Sequence, residues 1–195
     1  MSLIEIRQLS YKTRIGLWRM DDDMPPQQSL TQRQKERIAV HSLLGVMMPS
    51  ADRMTMAHEA SGKPFLMLDE KPCKELSVSV SHTRGFAVLM LSEEAQVGID
   101  IEYRSDRVEN IASRFIHPSE SAFSTEEKLL LWSAKETIYK LFSTDRLDFF
   151  DMLLKSWGSD TMLLENHKRR LAVNVHFETT PDYVLTYALL PNSKS

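Results

Sequence analysis

The sequence contains little cysteine and little glycine, and both shortages argue against common kinds of site. With Cys73 as the one cysteine among 195 residues, the chain can form neither an internal disulfide nor a cysteine-rich zinc site. None of the six glycines belongs to a GxGxxG or Walker-type loop, so the phosphate cradles of those motifs are not expected. HExxH is also missing, because His58-Glu59 lacks the second histidine.

Long apolar runs and an excess of positive charge are missing as well. The longest apolar run is far shorter than the roughly 20 residues that a membrane-spanning helix needs, and the N-terminus alternates polar and apolar residues, unlike a signal peptide. A net charge of -3 argues against a non-specific nucleic-acid binder, whose affinity comes mainly from lysine and arginine. We therefore expect a cytoplasmic protein that binds neither a membrane nor nucleic acid.

The most informative stretch begins at residues 97–102, with the sequence Val-Gly-Ile-Asp-Ile-Glu. Apolar residues alternate there with small or acidic ones, at the two-residue period of a β-strand. Asp100 and Glu102 are therefore predicted to share one face of a strand. Acids are common on the wet face of a half-buried strand, so this pattern alone does not identify a functional site.

The same stretch ends in a helix that is predicted from about Thr125 to Phe142. Ser124 is a suitable N-cap, because Glu127 three residues later can complete a capping box. Glu136 and Lys140 lie one helical turn apart. Such a pair is commonly a surface ion pair. Together with the two strand carboxylates, however, it offers oxygen ligands for a hard metal and a cation for a phosphate.

The other predicted elements give each half of the chain one long helix and several strands. They are two short strands within Leu3–Met20, a helix from Ser29 or Thr31 to about Met48, strands at Phe65–Leu68, Leu76–Ser81 and Phe86–Leu91, a helix at Val108–Phe115, and strands at Asp148–Leu154, Thr161–Glu165, Arg170–Phe177 and Tyr183–Leu189. The apolar stripe expected on the first long helix consists of Ile38, Leu43, Leu44 and Met47. Asp21–Pro26 is predicted to be a surface connection, and Lys168–Arg170 a hairpin turn.

Five short segments form a set when they are considered together: 62–64 (Gly-Lys-Pro), 79–82 (Ser-Val-Ser-His), 98–102 (Gly-Ile-Asp-Ile-Glu), 115–120, and 132–136 (Trp-Ser-Ala-Lys-Glu) followed by Lys140. This set resembles the 4'-phosphopantetheinyl transferases, and more closely their two-lobed, monomeric branch of the surfactin-synthetase-activating type. The resemblance implies an α+β fold of two similar lobes in a pseudo-twofold arrangement, each with a long helix packed on a mainly antiparallel sheet. Residues 1–95 would form the N-terminal lobe, which contacts coenzyme A phosphates, and residues 96–195 the C-terminal lobe, which carries the metal site.

The resemblance also implies an activity, the transfer of phosphopantetheine from coenzyme A to a serine of an acyl or peptidyl carrier protein. Asp100, Glu102 and Glu136 would bind Mg²⁺, or Mn²⁺, together with the coenzyme A pyrophosphate. Mg²⁺ prefers oxygen ligands and commonly combines few carboxylates with phosphate and water. Lys140 would neutralise pyrophosphate charge as a compact donor. The leaving group would be adenosine 3',5'-bisphosphate.

Further residues are implied in nucleotide binding and in proton transfer. Lys63, Ser81 and His82 match family positions that contact the coenzyme A phosphates. Weaker candidates for the nucleotide are Lys135, Arg33, Lys35 and Arg37. Glu120 matches a family glutamate that is proposed to remove the proton of the attacking serine, directly or through water. The alternative is that Glu120 caps a helix or faces solvent.

The sequence departs from the family pattern at one spacing, and two other functions remain possible. Only 31 residues, 101 to 131, separate Asp100 from Trp132, which is short for the family, so we expect a trimmed carrier-binding region. The chain could instead be a non-catalytic module that binds coenzyme A or a carrier. A metal-dependent phosphodiesterase or nuclease is a less favoured alternative, because such sites also combine acidic pairs with lysine. The intact carboxylates and Lys140 favour the transferase.

Overall fold

The computed structural model describes residues 1–20, 30–120 and 123–192, and it has the mixed α+β composition that the sequence predicts. The chain divides into two compact units, Met1–Ala95 and Gln96–Ser195. This division does not test the coenzyme A and metal roles that were predicted for the two halves. Within the described ranges, no helix is both long enough and apolar enough to cross a membrane.

The first unit contains two antiparallel sheets. The larger has the strand order β1-β2-β7-β6 and is built from β1 (Ser2–Ser10), β2 (Thr13–Arg19), β6 (Ser77–Thr83) and β7 (Phe86–Ser92). The smaller contains β3 (Met54–His58), β4 (Pro64–Leu68) and β5 (Lys71–Pro72). All residues of β7 are buried, which explains why its sequence is continuously apolar.

Helix α1 (Gln32–Met47) packs against β2 and β7. Thr31 caps it in a capping box with Gln34, as one of the two predicted N-caps. The buried face consists of Ala39, Leu43, Leu44 and Met47. The prediction that Ile38 belongs to this stripe is wrong, because 41% of Ile38 is exposed. Residues four apart lie on the same helical face, so the small Ala39 aligns with Leu43, and Ile38 does not.

The second unit contains one five-stranded sheet with the order β8-β12-β11-β10-β9. Its strands are β8 (Ala95–Tyr103), β9 (Met152–Trp157), β10 (Thr161–Asn166), β11 (Leu171–Thr179) and β12 (Tyr183–Pro191). Helix α3 (Thr125–Leu141) packs on this sheet, with its strongest contacts to β12. Its N-terminus is the predicted capping box of Ser124 and Glu127. The core between helix and sheet includes Leu131, Ile138, Leu164 and Val184.

Two predicted elements of the second unit are corrected. The helix expected at Val108–Phe115 is a 3₁₀ helix over Asp106–Ile111 followed by the short α2 (Ala112–Phe115). No side chain caps the 3₁₀ helix or α2. This lack of capping is consistent with a 3₁₀ helix and a short α-helix in place of one longer α-helix. The strand expected from Asp148 begins only at Met152. Residues Phe149–Asp151 form a 3₁₀ turn because the Asp148 and Asp151 side chains cap it reciprocally.

One predicted turn is confirmed, a second turn contains a glycine with positive φ, and one predicted segment is not described. Gly62 adopts φ +87° in the turn before β4, a conformation that favours glycine. Residues 167–170 form the turn between β10 and β11, as predicted for the Lys168–Arg170 segment. The predicted connection at Asp21–Pro26 and the alternative N-cap Ser29 lie outside the described residues.

Gly98 allows β8 to approach α3 unusually closely. A Cβ atom at this position would overlap the Thr137 carbonyl oxygen and would lie 3.1 Å from the Leu141 Cβ. Because side chains alternate along a strand, Asp100 and Glu102 share the face of Gly98 and are directed toward α3. The face that carries the two acids is therefore covered by a helix, whereas the half-buried strand expected from the sequence would leave it wet.

We predict that Gly98→Ala destabilises the protein by roughly 1–3 kcal/mol, the usual range for overpacking, because backbone atoms of α3 must move to admit a methyl group. Gly45→Ala is the matched control. Gly45 is exposed in α1, and a Cβ there would meet nothing within 4 Å. Alanine should raise the unfolding free energy at that position by about 0.5–1 kcal/mol. Urea denaturation measures both variants, and equal effects at the two sites would contradict the close approach.

Candidate functional site

Asp100 is held between two residues of α3. Its side chain is 5% exposed, and its Oδ1 accepts a hydrogen bond of 2.7 Å from Lys140 Nζ. Its Oδ2 accepts a bond of 2.8 Å from the Ser133 hydroxyl. Lys140 also donates to the Ile99 carbonyl oxygen at 3.1 Å. It therefore links the helix both to a backbone group and to a side chain of β8. The ammonium group that could have paired with Glu136 on the helix surface is directed to β8.

Glu102 lies next to Asp100 on the same face of β8 and is half-buried. The Trp132 indole nitrogen donates a hydrogen bond of 2.8 Å to its Oε1. Burial and, after it, the negative charge of Asp100 raise the pKa of Glu102 to about 7, against the opposing effects of the hydrogen bond from Trp132 and the charge of Lys140. Close to neutral pH, this carboxyl therefore takes up or releases a proton easily.

Glu136 is half-buried on α3 and experiences the same field. Burial raises the pKa of Glu136, the charge of Asp100 adds to this effect, and Lys140 opposes it. Three carboxyl groups thus lie within electrostatic range of one another with one ammonium group among them. Their mutual repulsion would be relieved by an additional cation.

The chemistry of these three side chains fits a divalent cation such as Mg²⁺. All three offer carboxylate oxygens, which Mg²⁺ prefers over nitrogen or sulfur. The pKa values of Glu102 and Glu136 are raised first by burial and then by the negative charge of Asp100, so a nearby cation would stabilise their ionised forms. Across residues 1–20, 30–120 and 123–192, no three His, Cys, Asp or Glu side chains converge closely enough to form a ready metal site. The three carboxylates therefore fit Mg²⁺ in the type of their donor atoms and in their charge, and not as a preformed coordination geometry.

Glu120 and Lys135 form a closed pair in another part of the second unit. The Lys135 ammonium lies 2.8 Å from Glu120 Oε2, and the two side chains are 0% and 2% exposed. Lys135 also donates to the Phe115 carbonyl oxygen at 2.6 Å, and Glu120 accepts from the backbone nitrogens of His117 and Leu154. Burial lowers the pKa of Lys135, and Glu120 opposes this effect.

This geometry corrects the environment expected for both residues. Glu120 neither caps a helix at the surface nor faces solvent, because its carboxylate oxygens are used inside the unit. The role of Glu120 as a base for an external serine and the nucleotide contact of Lys135 stay predictions. The pair joins the loop at 116–120 and the start of β9 to α3, which is a structural task.

The other predicted nucleotide contacts lie in the first unit. Lys63 is half-buried in the turn before β4, and Ser81 and His82 lie on β6 with Ser81 buried and His82 exposed. His82 Nδ1 lies 3.2 Å from Glu36 Oε1 of α1, a partner that no sequence pattern indicates. Their proposed contacts with coenzyme A stay predictions.

The basic residues of α1 share its polar surface. Arg33 and Arg37 are exposed and four residues apart, and Lys35 is half-buried. Glu36 lies between them in sequence and pairs with His82, so this surface combines three cations with one acid. Nucleotide binding by the three cations also stays a prediction.

Two threonines of the second unit that were not predicted as site residues complete the surroundings of Asp100. Thr137 on α3 and Thr186 on β12 are both 0% exposed, and their hydroxyl oxygens lie 2.6 Å apart. Thr186 is also 2.9 Å from the Ser133 hydroxyl that bonds to Asp100. Small polar residues on a helix and a strand carry no sequence signal for such a contact.

Comparison with known proteins relates this geometry to a family. Residues 96–188 match the 4'-phosphopantetheinyl transferase superfamily model. The matched segment contains Asp100, Glu102, Glu136 and Lys140, and it ends within β12.

A relative in mouse (Mus musculus) is L-aminoadipate-semialdehyde dehydrogenase-phosphopantetheinyl transferase. It is 29% identical to this chain over 128 residues. The aligned part covers 65% of this chain and 37% of the mouse protein, so the chain spans well under half of that relative. Both similarities are to proteins described as phosphopantetheinyl transferases.

We predict that Glu102→Gln changes how stability depends on pH in the absence of metal. A carboxyl pKa raised from 4.5 to about 7 gives the folded state a stabilisation that is complete below pH 4.5 and is lost as the pH rises through 7. Glutamine stays neutral throughout. The unfolding free energy of the variant should therefore exceed that of the wild type increasingly between pH 4.5 and 7.

Urea denaturation at several pH values, with EDTA present, measures this difference. A second series in Mg²⁺ provides the control, because a bound cation should favour the ionised glutamate and reduce the advantage of glutamine. Curves for variant and wild type that stay parallel across the pH range would contradict the raised pKa.

We also predict that Lys135→Met lowers the unfolding free energy by about 3–5 kcal/mol, because it leaves the Glu120 charge buried without a partner. Adding Glu120→Gln should restore part of the loss. Lys128→Met is the matched control on α3, since Lys128 pairs with Glu109 at 2.7 Å but the side chains are 22% and 37% exposed. That control should change stability by less than about 1 kcal/mol. Equal losses at the two lysines would show that Lys135 is not in a closed pair.

Proposed function

We propose that this protein transfers the 4'-phosphopantetheine group from coenzyme A to a serine of an acyl or peptidyl carrier protein. Adenosine 3',5'-bisphosphate is the leaving group. The observation that carries the proposal is the group of Asp100, Glu102 and Glu136 with Lys140, at the contact of β8 and α3, inside the segment that matches the transferase superfamily.

Asp100, Glu102 and Glu136 are the residues that would hold Mg²⁺ or Mn²⁺. When bound, the cation supplies Lewis-acid polarisation of the phosphoryl group and charge stabilisation of the leaving bisphosphate. The protein contributes three carboxylates whose crowding favours a cation, and it excludes water from one side of Asp100 through the buried Ser133.

Lys140 is suited to bind a pyrophosphate oxygen next to these carboxylates. An ammonium group has three N–H donors, and two of them are directed to Asp100 and to the Ile99 carbonyl oxygen. The side chain is 25% exposed, so the third donor has access to a ligand. The contact with Asp100 also holds the ammonium in one orientation before the substrate binds, which reduces the entropy lost on binding.

The proposal includes the predicted nucleotide contacts of the first unit. Lys63, Ser81 and His82 are assigned to the phosphates of coenzyme A, with Arg33, Lys35 and Arg37 as additional cations. The exposure of His82, Arg33 and Arg37 is compatible with that role. Glu120 as a base and Lys135 as a nucleotide contact remain part of the proposal, and the hydrogen bonds of both side chains within the second unit also contribute to stability.

The two-lobed, monomeric form is also part of the proposal. Each unit contains one long helix on a mainly antiparallel sheet, α1 in the first and α3 in the second, which supports two related lobes. A cytoplasmic location is proposed from the composition, since the single cysteine fits a reducing compartment.

Intact-mass spectrometry of an apo carrier protein tests the function. The carrier is incubated with the protein, coenzyme A and Mg²⁺, and a parallel sample contains a chelator. We expect a phosphopantetheine mass gain that the chelator abolishes. The panel should contain fatty-acid, polyketide and peptidyl carriers and, because of the name of the mouse relative, an L-aminoadipate-semialdehyde dehydrogenase. No gain on any carrier, despite coenzyme A binding, would favour a non-catalytic module.

We predict that Glu136→Gln lowers the rate of transfer by about 100-fold or more, because a metal ion contributes several kcal/mol of transition-state stabilisation. Glu126→Gln is the matched control. It makes the same change on the same helix, at a more exposed residue that pairs with Arg104 at 2.8 Å. The same mass assay, run as a time course, measures both. A Glu136 variant as fast as the control would remove Glu136 from the proposed site.

A further inference from the structure

A chain of three buried hydroxyl groups leads to the Asp100 carboxylate. Ser133 and Thr137 lie one turn apart on α3, and Thr186 faces them from β12; all three residues are 0% exposed. The oxygen atoms are 2.6 Å apart between Thr137 and Thr186, 2.9 Å between Thr186 and Ser133, and 2.8 Å between Ser133 and Asp100 Oδ2.

The direction of these hydrogen bonds follows from the number of hydrogens. Paired with Lys140, the Asp100 carboxylate is only an acceptor, so the single hydroxyl hydrogen of Ser133 is used on Asp100. The bond between Ser133 and Thr186 must then take its hydrogen from Thr186. Consequently Thr137 is the donor to Thr186, whose hydroxyl and carbonyl oxygens both lie within its reach.

A hydrogen bond donated by Thr186 limits the directions in which the Ser133 hydroxyl can donate. A serine inside a helix ordinarily donates back to the carbonyl oxygen four residues earlier, which here belongs to Leu129. A donor directed at the Ser133 oxygen favours the orientation in which the Ser133 hydrogen points away from Thr186 and toward Asp100. In this arrangement Asp100 Oδ2 accepts a hydrogen bond from Ser133, and Asp100 Oδ1 accepts one from Lys140.

We propose that Thr186 is a positioning residue for Asp100, which orients the carboxylate toward a divalent cation through Ser133. The inference rests on the proposed function, since it concerns the cation that Asp100 would bind. Thr186 itself is fully buried, so it would act on the cation only through the Ser133 hydroxyl. Residues that orient a metal ligand in this way typically change metal affinity by about 10- to 100-fold when they are removed.

The test is a titration of the purified full chain with Mn²⁺, followed by electron paramagnetic resonance of the free ion, with and without coenzyme A. Thr186→Val keeps the shape of the side chain and removes its hydroxyl, and we expect Mn²⁺ to bind about 10-fold more weakly or worse. Thr186→Ser keeps the hydroxyl and should bind Mn²⁺ like the wild type. The same readout with Mg²⁺ as competitor extends the result to that ion.

Thr13→Val is the matched control. Thr13 is also 0% exposed, but its hydroxyl lies 2.8 Å from Ser92 and 3.1 Å from Glu94, so the same substitution removes a buried hydroxyl that is not linked to Asp100. Mn²⁺ affinity should be unchanged in this variant. An equal loss in Thr13→Val and Thr186→Val would overturn the proposal, because the loss would then follow from general destabilisation.

Ser133→Ala provides a second route if Thr186→Val does not fold. It removes the last donor of the chain, and we expect a similar loss of Mn²⁺ affinity. If both variants fold, their double mutant should bind no more weakly than Ser133→Ala alone, since Thr186 acts through Ser133. Additive losses, normal affinity in Ser133→Ala, or a wild-type chain that binds no Mn²⁺ in either condition would each overturn the inference.

The two proposals fail in different ways. If no carrier gains mass but Mn²⁺ affinity still depends on the Thr186 hydroxyl, the positioning role stands and the transferase activity does not. If carriers are modified and Thr186→Val binds Mn²⁺ normally, the transferase stands and the positioning role is wrong. In the active protein, Thr186→Val should also raise the Mg²⁺ concentration needed for half-maximal rate more than it lowers the rate at saturating Mg²⁺.

Discussion

The close approach of β8 to α3 at Gly98 is the constraint on which the candidate site depends. Without a side chain at this residue, the strand lies against the Thr137 carbonyl group, and the next residues on the same face meet the helix directly. Asp100 is then within hydrogen-bond reach of both Ser133 and Lys140, and Glu102 is within reach of Trp132. A bulkier residue at position 98 would separate β8 from α3 and break these hydrogen bonds.

Two ion pairs of the second unit, Glu120–Lys135 and Asp100–Lys140, differ in what surrounds them. Glu120 and Lys135 are both closed off from solvent, and their remaining hydrogen bonds are made to backbone groups, so the pair is complete by itself. Asp100 and Lys140 instead lie beside two further carboxyl groups whose pKa values are raised. An incomplete charge balance of this kind is common where a cation or a phosphate binds, whereas a complete one is common in a structural core.

The success of individual predictions depended on how local their cause is. The N-caps Thr31 and Ser124 were predictable because a capping box involves residues three apart. The buried strand β7 was predictable because each of its residues is apolar or small. Ile38 was assigned to the core from its hydrophobicity, although the spacing of four to Leu43 and Met47 selects Ala39. The 3₁₀ turn at Phe149–Asp151 was missed because its cap residues lie next to apolar ones that favour a strand.

The sequence by itself determined which residue types carry the chemistry: Asp100 and Glu102 at strand spacing, and Glu136 and Lys140 at helical spacing, in an order that resembles a transferase family. Only the tertiary structure decided their partners. Lys140 bonds to Asp100 across 40 residues of sequence, and Ser133 meets Thr186 across 53. It also decided that Glu120 is buried against Lys135. Hydrogen bonds between residues so distant in the chain depend on how helix and sheet pack, and periodicity within a single element contains no information about that packing.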